Sequence, residues 1–539
     1  MESTQVVVIG GGATGTGILR DLAMRGIPAI LVEQYDLAHG TSSRFHGLLH
    51  SGARYVVNDP ESAQACIAEN RVLRRIGKCC VEDIEGLFIQ LPQDDPVYVE
   101  TWQKACTAAG IPVQEIAPAE ALALEPNLTP QIVRAFSVPD GAIDGFRLVW
   151  ANIKSAERYG AKAYTYHRVD KILVENGCVR GVEVTDLKRN QKRPIKCEYV
   201  LNATGAWAGK LAALAGVNLE IVADKGTLLA FNHRLTGRVI NRLRLPGDGD
   251  IVVPHGTVSI LGTTSLRVDN PEYLTSTREE VIKLLQVGQE MFPGIGEFRI
   301  LRAFAGVRPL LGGSGQAEAR INNGRGISRE FALIDHEEDG VAGLLSVVGG
   351  KLTTYRLMAE KAVDCLAGKI DNTNPCRTGT ENLLPEATVA QLAGLKHYLS
   401  VTATTKAAER LGAEVNRLLA ILRAAPWKNQ IVCECEQVSL AEIELNAVAG
   451  ATLNDIRRKT RMGMGTCQGT VCTGRAIGQL YESGQVELAQ VQTLLADFLG
   501  ERWKGNRLVL WGDQLRQAEL AANRYINLLN FNEGAEYEL

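Results

Sequence analysis

The stretch VVVIGGGATGTGILRDLAMRG, residues 6–26, decides how the rest of this chain is read. Val6 to Ile9 form a short continuous apolar run, a glycine-rich turn follows, and the apolar spacing of ILRDLAMRG continues as a helix. Gly10, Gly12 and Gly15 fit G-x-G-x-x-G, with Ala13 and Thr14 at the start of the helix. In such a unit the first glycine makes the tight turn and the second lets backbone N–H groups approach a pyrophosphate. The third lets helix and strand pack closely. A second strand, AILVE, ends in Glu33, about 20 residues on, where a carboxylate can accept hydrogen bonds from a ribose hydroxyl pair. The motif by itself leaves NAD and FAD open.

Later segments favour FAD. GTSSRFH at 40–46 supplies Thr41, Ser42, Ser43 and His46, with Leu48 just beyond, as small hydroxyls and free N–H groups for a diphosphate or a flavin ring. YVLNATGAWAG at 199–209 is a second strand-to-turn unit that returns Ala203, Thr204, Gly205 and Trp207 to the nucleotide. Between them, KILVENGCVRGVEV alternates around Asn176 and Gly177 as a hairpin with a type I′ turn, entered past Val169. Such a ribbon suits an FAD domain better than a simple nicotinamide one. A final strand, from Leu344, runs through Gly350, Lys351, Leu352 and Thr353 into a helix. The N-terminal dipole of that helix can face a reduced flavin's negative edge.

With 539 residues the chain can bury more than one core, and 45% apolar with 22% charged residues is a globular composition. The net charge of -3 gives no global attraction to nucleic acid or anionic lipid. MESTQ runs straight into the first strand, without room for a secretory signal, and no apolar run of about 18 residues occurs, so a cytoplasmic protein without a spanning helix is expected. In that compartment twelve cysteines are not a disulfide framework. Eight (Cys66, Cys79, Cys80, Cys106, Cys178, Cys197, Cys365, Cys376) read as small core hydrophobes.

The other four cluster as Cys433 and Cys435, then Cys467 and Cys472. A C-x-C spacing leans away from the zinc knuckle and toward a [2Fe-2S] cluster, with Gly463, Gly465 and Gly469 letting backbone N–H groups reach the sulfurs. Zinc is the alternative. Ser439 with Glu442, and Thr452 with Asp455, are capping-box patterns that place helices between the cysteine pairs.

HSGARY at 50–55, AGVRPL at 305–310, GISRE at 326–330 and GGKLTTYR at 349–356, together with the opening fingerprint, resemble the FAD-dependent glycerol-3-phosphate dehydrogenases. With the tail cysteines added, the resemblance narrows to catalytic flavoprotein subunits of the anaerobic, three-subunit type. It implies an α/β (α+β multidomain) fold: a glutathione-reductase-like, Rossmann-type FAD domain with an inserted antiparallel β substrate domain, plus a small α-helical [2Fe-2S] domain like that of bacterioferritin-associated ferredoxin. The implied layout is an oxidoreductase over 1–375, its insert mainly at about 75–145 and 210–335. A helical connector spans 376–425, the cluster domain 426–480, and a helical segment 481–539, where Trp503 and Trp511 are expected in the core. The implied reaction is oxidation of sn-glycerol 3-phosphate to dihydroxyacetone phosphate. Electrons would pass through the cluster to partner subunits and menaquinone, holding the protein at the inner face of the cell membrane. One departure is the stretch RFHGLL at 44–49, which leaves open whether His46 or His50 faces the flavin.

A phosphomonoester needs several cations or N–H donors around its oxygens, and Arg54, Arg308, Arg329 and Lys351 lie within the quoted motifs. Alcohol oxidation needs a base for the hydroxyl proton. His50 and His233 are equal candidates, with His255 in a further plausible segment, and Arg308 and Lys351 beside them. Two rival readings keep the same fold. One oxidises an amine or a 2-hydroxy acid, and the other is a non-catalytic flavin and iron–sulfur electron relay.

Overall fold

A computed structural model describes residues 2–272, 274–312, 330–447 and 451–528. The strand Val6–Ile9 is buried on both faces, as its unbroken apolar run requires, and lies centrally in a six-stranded sheet. From one edge the strands are Lys162–Tyr164, Ala29–Val32, Val6–Ile9, Tyr199–Asn202, Leu344–Gly349 and Phe331–Asp335. The first five run parallel, in register Val8 with Leu31 on one side and with Leu201 on the other. The chain leaves Val6–Ile9 toward one edge and returns on its other side at Tyr199–Asn202. That reversal opens a crevice beyond the carboxyl ends of the two strands.

Helix Ala13–Met24 packs with helices Gly145–Arg158 and Tyr355–Lys369 against this sheet, around a core that includes Ile18, Leu22, Leu148 and Ala362. Phe331–Asp335, which the sequence reading counts with the insert, instead pairs antiparallel with Leu344–Gly349 and closes the nucleotide sheet. The hairpin of His167–Glu175 and Cys178–Asp186 turns at Asn176 (φ 52°) and Gly177 (φ 74°), the two positive φ values that a type I′ turn demands.

A second sheet, of nine strands among the described residues, is built from two separate stretches of chain. Ile221–Phe231 and Ile300–Leu311 pair antiparallel along almost their whole length. The stretches are joined by the one parallel pairing in this sheet, Val239–Arg242 with Gly86–Gln90. Helix Arg278–Met291 covers it, started by a full capping box between Thr277 and Glu280.

The cysteine module holds two short strands and helices Leu440–Asn446, Leu453–Thr460 and Cys472–Glu482. Thr452 and Asp455 close a reciprocal capping box. Ser439 makes only half of one: its hydroxyl accepts from the Glu442 N–H, but the Glu442 carboxylate is taken by Arg410 of the connector, one oxygen at 2.7 Å. Both partners of that ion pair are almost fully buried, so neither can be removed cheaply. The module's core includes Phe498 of helix Leu488–Asn506, so the packed unit runs past the boundary at 480. Val509 continues into the core of the second sheet. Trp511 is 49% exposed, not a core residue, and Trp503 is half-buried. Among the described residues no helix is long and apolar enough to cross a membrane.

Candidate active site and thiol cluster

The crevice at the strand reversal is a cleft of about 510 Å³. Gly10 has φ 115°, and a side chain on Gly15 would place its Cβ 2.0 Å from the Gly10 carbonyl oxygen, so turn and helix can meet only through glycines. Helix Ala13–Met24 begins after Gly12 with no side-chain cap, leaving its amide end toward the cleft, which Gly12, Ala13 and Thr14 line. Ser42 Oγ accepts the Ala13 N–H at 2.9 Å and ties the following loop to the turn. Glu33 accepts from Gly11 N at 2.6 Å and Tyr35 N at 2.9 Å. Burial raises its pKa, and those two amides oppose the rise.

Most of the proposed cofactor residues line this one cleft: Gly10, Gly12, Ala13, Thr14, Glu33, Thr41, Ser42, His46, Leu48, Val169, Ala203, Thr204, Gly205, Trp207, Gly350, Lys351 and Leu352. Three do not. Gly15 is spent on packing, Ser43 faces a second cavity, and Thr353 is fully buried behind the wall, where its Oγ1 accepts the His50 N–H at 3.1 Å. Residues missed from sequence include Tyr35, His39 and Tyr55. Tyr55 was within reach, since it completes HSGARY.

The cationic candidates separate. Lys351 and Arg308 both line the cleft. The Lys351 ammonium lies 4.8 Å from the Tyr55 ring centroid, and among the described residues no carboxylate stands within ion-pair distance of it. Arg308 faces Asp224 directly across the strand pair and binds it at 2.6 Å, with its other donors on Thr264 O at 3.1 Å and on Thr263 Oγ1. It is a neutralised, rigidly held guanidinium, not a free one. Arg54 does not line the cleft: it is buried against Gly247 O at 3.2 Å and Asp250 at 3.4 Å, with Nη1 lacking a partner among the described residues. Arg329 lies outside the described residues.

The two histidines ranked equally from sequence are not equivalent. His50 is buried in the cleft, its ring 5.3 Å from Tyr55 and 5.6 Å from His46, and His46 lines the cleft too. His233 follows strand Ile221–Phe231 on the exposed side, against Phe298 at 5.2 Å, and does not reach the cleft. The spacing of KGTLLAFNHR gave no sign that its end lies past the strand's last buried residue. His255 lies at a different cavity.

All twelve cysteines are free thiols. Four gather as a string: Cys472 contacts both Cys433 and Cys467, and Cys467 contacts Cys435. Backbone groups of Gly463 and Glu436 beside Cys433, and of Gly469 and Val471 beside Cys467, favour the thiolate forms. The contacts with Cys472, with these backbone groups, lower the pKa of Cys433 and Cys467, while Cys472, between two thiols, is raised. A Cβ on Gly465 would sit 2.3 Å from Cys435 Cβ. Among the described residues no group of three or more His, Cys, Asp or Glu side chains is set around one point to hold a metal ion, so the arrangement supports neither the [2Fe-2S] cluster nor the zinc alternative.

Cleft and fold together define an FAD-binding oxidoreductase. The family profile described as FAD dependent oxidoreductase matches residues 5–356. The A subunit of anaerobic glycerol-3-phosphate dehydrogenase from Escherichia coli K12 is 43% identical over 526 residues, covering 96% of this chain and 95% of the relative. The corresponding A1 subunit from Haloferax volcanii is 42% identical over 545 residues, covering 99% and 92%. The chain therefore belongs to the FAD-dependent oxidoreductase family and is an enzyme homologous to the A subunit of anaerobic glycerol-3-phosphate dehydrogenase. In fold it is similar to the glycerol-3-phosphate dehydrogenase of Bacillus halodurans solved with FAD. The TM-score is 0.70 at 21% identity, over 95% of this chain and 96% of that one.

Proposed function

We propose that the protein oxidises sn-glycerol 3-phosphate to dihydroxyacetone phosphate and passes the electrons through a [2Fe-2S] cluster to partner subunits and menaquinone at the inner face of the membrane. The observation that carries the reading is Lys351. Among the described residues it is a cation without a carboxylate partner, beside Tyr55 in the same cleft as His50, which is what a phosphorylated alcohol needs.

The glycine turn, Glu33 and the Gly350–Leu352 backbone would hold FAD, which would supply the acceptor for the hydride of the carbinol carbon. His50 takes the hydroxyl proton on an imidazole nitrogen, and Thr353 keeps its backbone in place. Lys351 binds the substrate phosphate. Arg54, which does not line the cleft, enters the proposal through its motif, with an Nη1 that has no partner among the described residues, and Arg308 presents a guanidinium held rigidly by Asp224. Arg329 belongs to the same proposal through its motif. The domain limits and the roles of these residues are part of this reading.

Cys433, Cys435, Cys467 and Cys472 would hold the cluster, which would supply one-electron transfer. This part of the reading rests on the thiol string and the backbone groups beside it that favour thiolates, the form that binds iron. The partner subunits are supported by the identity to relatives that are themselves named as one subunit of a larger dehydrogenase.

The test is anaerobic titration of the purified holoprotein, following flavin absorbance and low-temperature EPR together. Bleaching by sn-glycerol 3-phosphate but not by glycerol, proline or 2-hydroxyglutarate supports the substrate. Bleaching without a new paramagnetic signal removes the cluster and leaves the dehydrogenase.

A further inference from the structure

A second cavity, of about 340 Å³, lies where the flavin domain, the β insert and the cysteine module meet. Tyr35, His39 and Phe45 line both it and the cofactor cleft, so they form the wall between the two. Five arginines line this cavity. Two are neutralised: Arg458 by Asp36 at 3.2 Å and Asp455 at 2.7 Å, and Arg461 by Asp144 at 2.8 Å and Glu436 at 3.0 Å.

The other three are not. Arg44 comes from the flavin-domain loop, Arg302 from strand Ile300–Leu311 and Arg457 from helix Leu453–Thr460. Among the described residues no carboxylate stands within ion-pair distance of any of them. The Nε atoms of Arg302 and Arg457 are buried with no hydrogen-bond partner. Their guanidiniums lie over ring faces, Phe304 at 5.9 Å and Phe498 at 6.0 Å. Glu501 alone offers all three an opposing charge. Desolvation and the neighbouring Arg302 and Arg458 push the Arg457 pKa down to about 9.

Half-buried guanidiniums without a carboxylate partner are costly, and here three elements distant in sequence deliver them to one void, with Arg44 Nε donating to His39 O at 3.2 Å. None of the three lines the cofactor cleft. Their planar forks match the oxygens of a phosphate. His255 adds a buried Nδ1 without a partner. Desolvation and Arg461 lower its pKa to about 4, so near neutrality it can donate a hydrogen bond without adding charge. The volume is at the lower end of ligand pockets, about 300–1,000 Å³, room for a phosphate with a small organic body.

We propose that this cavity binds a phosphate group, free or esterified, between Arg44, Arg302, Arg457 and His255, and that the bound anion fastens the cysteine module to the two domains beneath it. The proposal does not depend on the identity of the oxidised substrate.

The test is thermal denaturation of the FAD-loaded protein in zwitterionic buffer at fixed chloride, with inorganic phosphate or ribose 5-phosphate added. Either probe at saturation is expected to raise the midpoint by about 3 °C. The same rise in K351M shows that the cofactor cleft is not its source. R302Q/R457Q is expected to lose it while retaining FAD, and E501Q to need about tenfold less probe. The probe acting at the lower concentration identifies the source as the free ion or an ester. A full shift in R302Q/R457Q, or none in the unmodified protein, overturns the proposal. Should the double variant not fold, an unchanged half-saturation in E501Q does so equally.

Discussion

Replacing Arg461 with methionine measures what docks the cysteine module onto the flavin domain. Arg461 caps helix Leu453–Thr460 in the left-handed conformation, φ 66°, and is 8% exposed. Nη1 holds Asp144 at 2.8 Å and Nε holds Glu436 at 3.0 Å. Asp144 is itself the N-cap of helix Gly145–Arg158, accepting from Phe146 N at 3.0 Å and Arg147 N at 3.1 Å. Methionine fills the volume but leaves two buried carboxylates without their shared cation, which costs about 3–5 kcal/mol where an exposed pair would cost about 0–1. A chain of several cores will not unfold in two states, so the assay is native-state hydrogen exchange. Amides of Leu453–Thr460 should lose about 3–5 kcal/mol of protection while Val6–Ile9 is unchanged. A loss under about 1 kcal/mol, or an Asp144→Asn double-mutant cycle with no coupling, would refute the buried bridge.

Gly15→Ala should abolish FAD retention, since its Cβ would fall 2.0 Å from the Gly10 carbonyl oxygen; absorbance after gel filtration reads this directly. His50→Gln should lower kcat by about 10²–10⁴ with little change in bound flavin, whereas His233→Gln should leave both unchanged. Acid should weaken the fold through His255: burial holds it neutral down to about pH 4, while in the unfolded chain it titrates near 6.5. Between those values the unfolded state binds the extra proton, so stability falls as pH falls, by up to about 1.4 kcal/mol per pH unit, and His255→Gln should remove that slope. Asp144 has the opposite origin and a lower window. Burial would raise its pKa, but Arg461, His255 and Arg147 hold it well below the usual range, so its contribution is present above about pH 4 and lost only in stronger acid. Cys467→Ser should reduce iron per chain, by metal analysis, without loss of FAD.

The nucleotide unit was legible because its determinants are local. Four apolar residues, a glycine spacing and a carboxylate at the end of the next strand lie within residues 6–33. The Asn176–Gly177 turn and the Thr452–Asp455 box likewise depend on neighbours a few residues apart. The thiol pairs were legible as spacings, and folding added that Cys472 lies between two other thiols.

What only the tertiary structure decided depends on strand register and domain docking. Asp224 neutralises Arg308 from 84 residues away because the two lie opposite each other across a strand pair. His50 reaches the cleft and His233 does not, because one lies in the loop beside the nucleotide strands and the other past the end of a β strand on the far side. Arg461 and Asp144, 317 residues apart, and the three guanidiniums that share the second cavity without a carboxylate partner among the described residues meet only when separate cores pack together. Short-range spacing records which backbone forms. Charge compensation acts through space, so the sequence names the charges but not their partners.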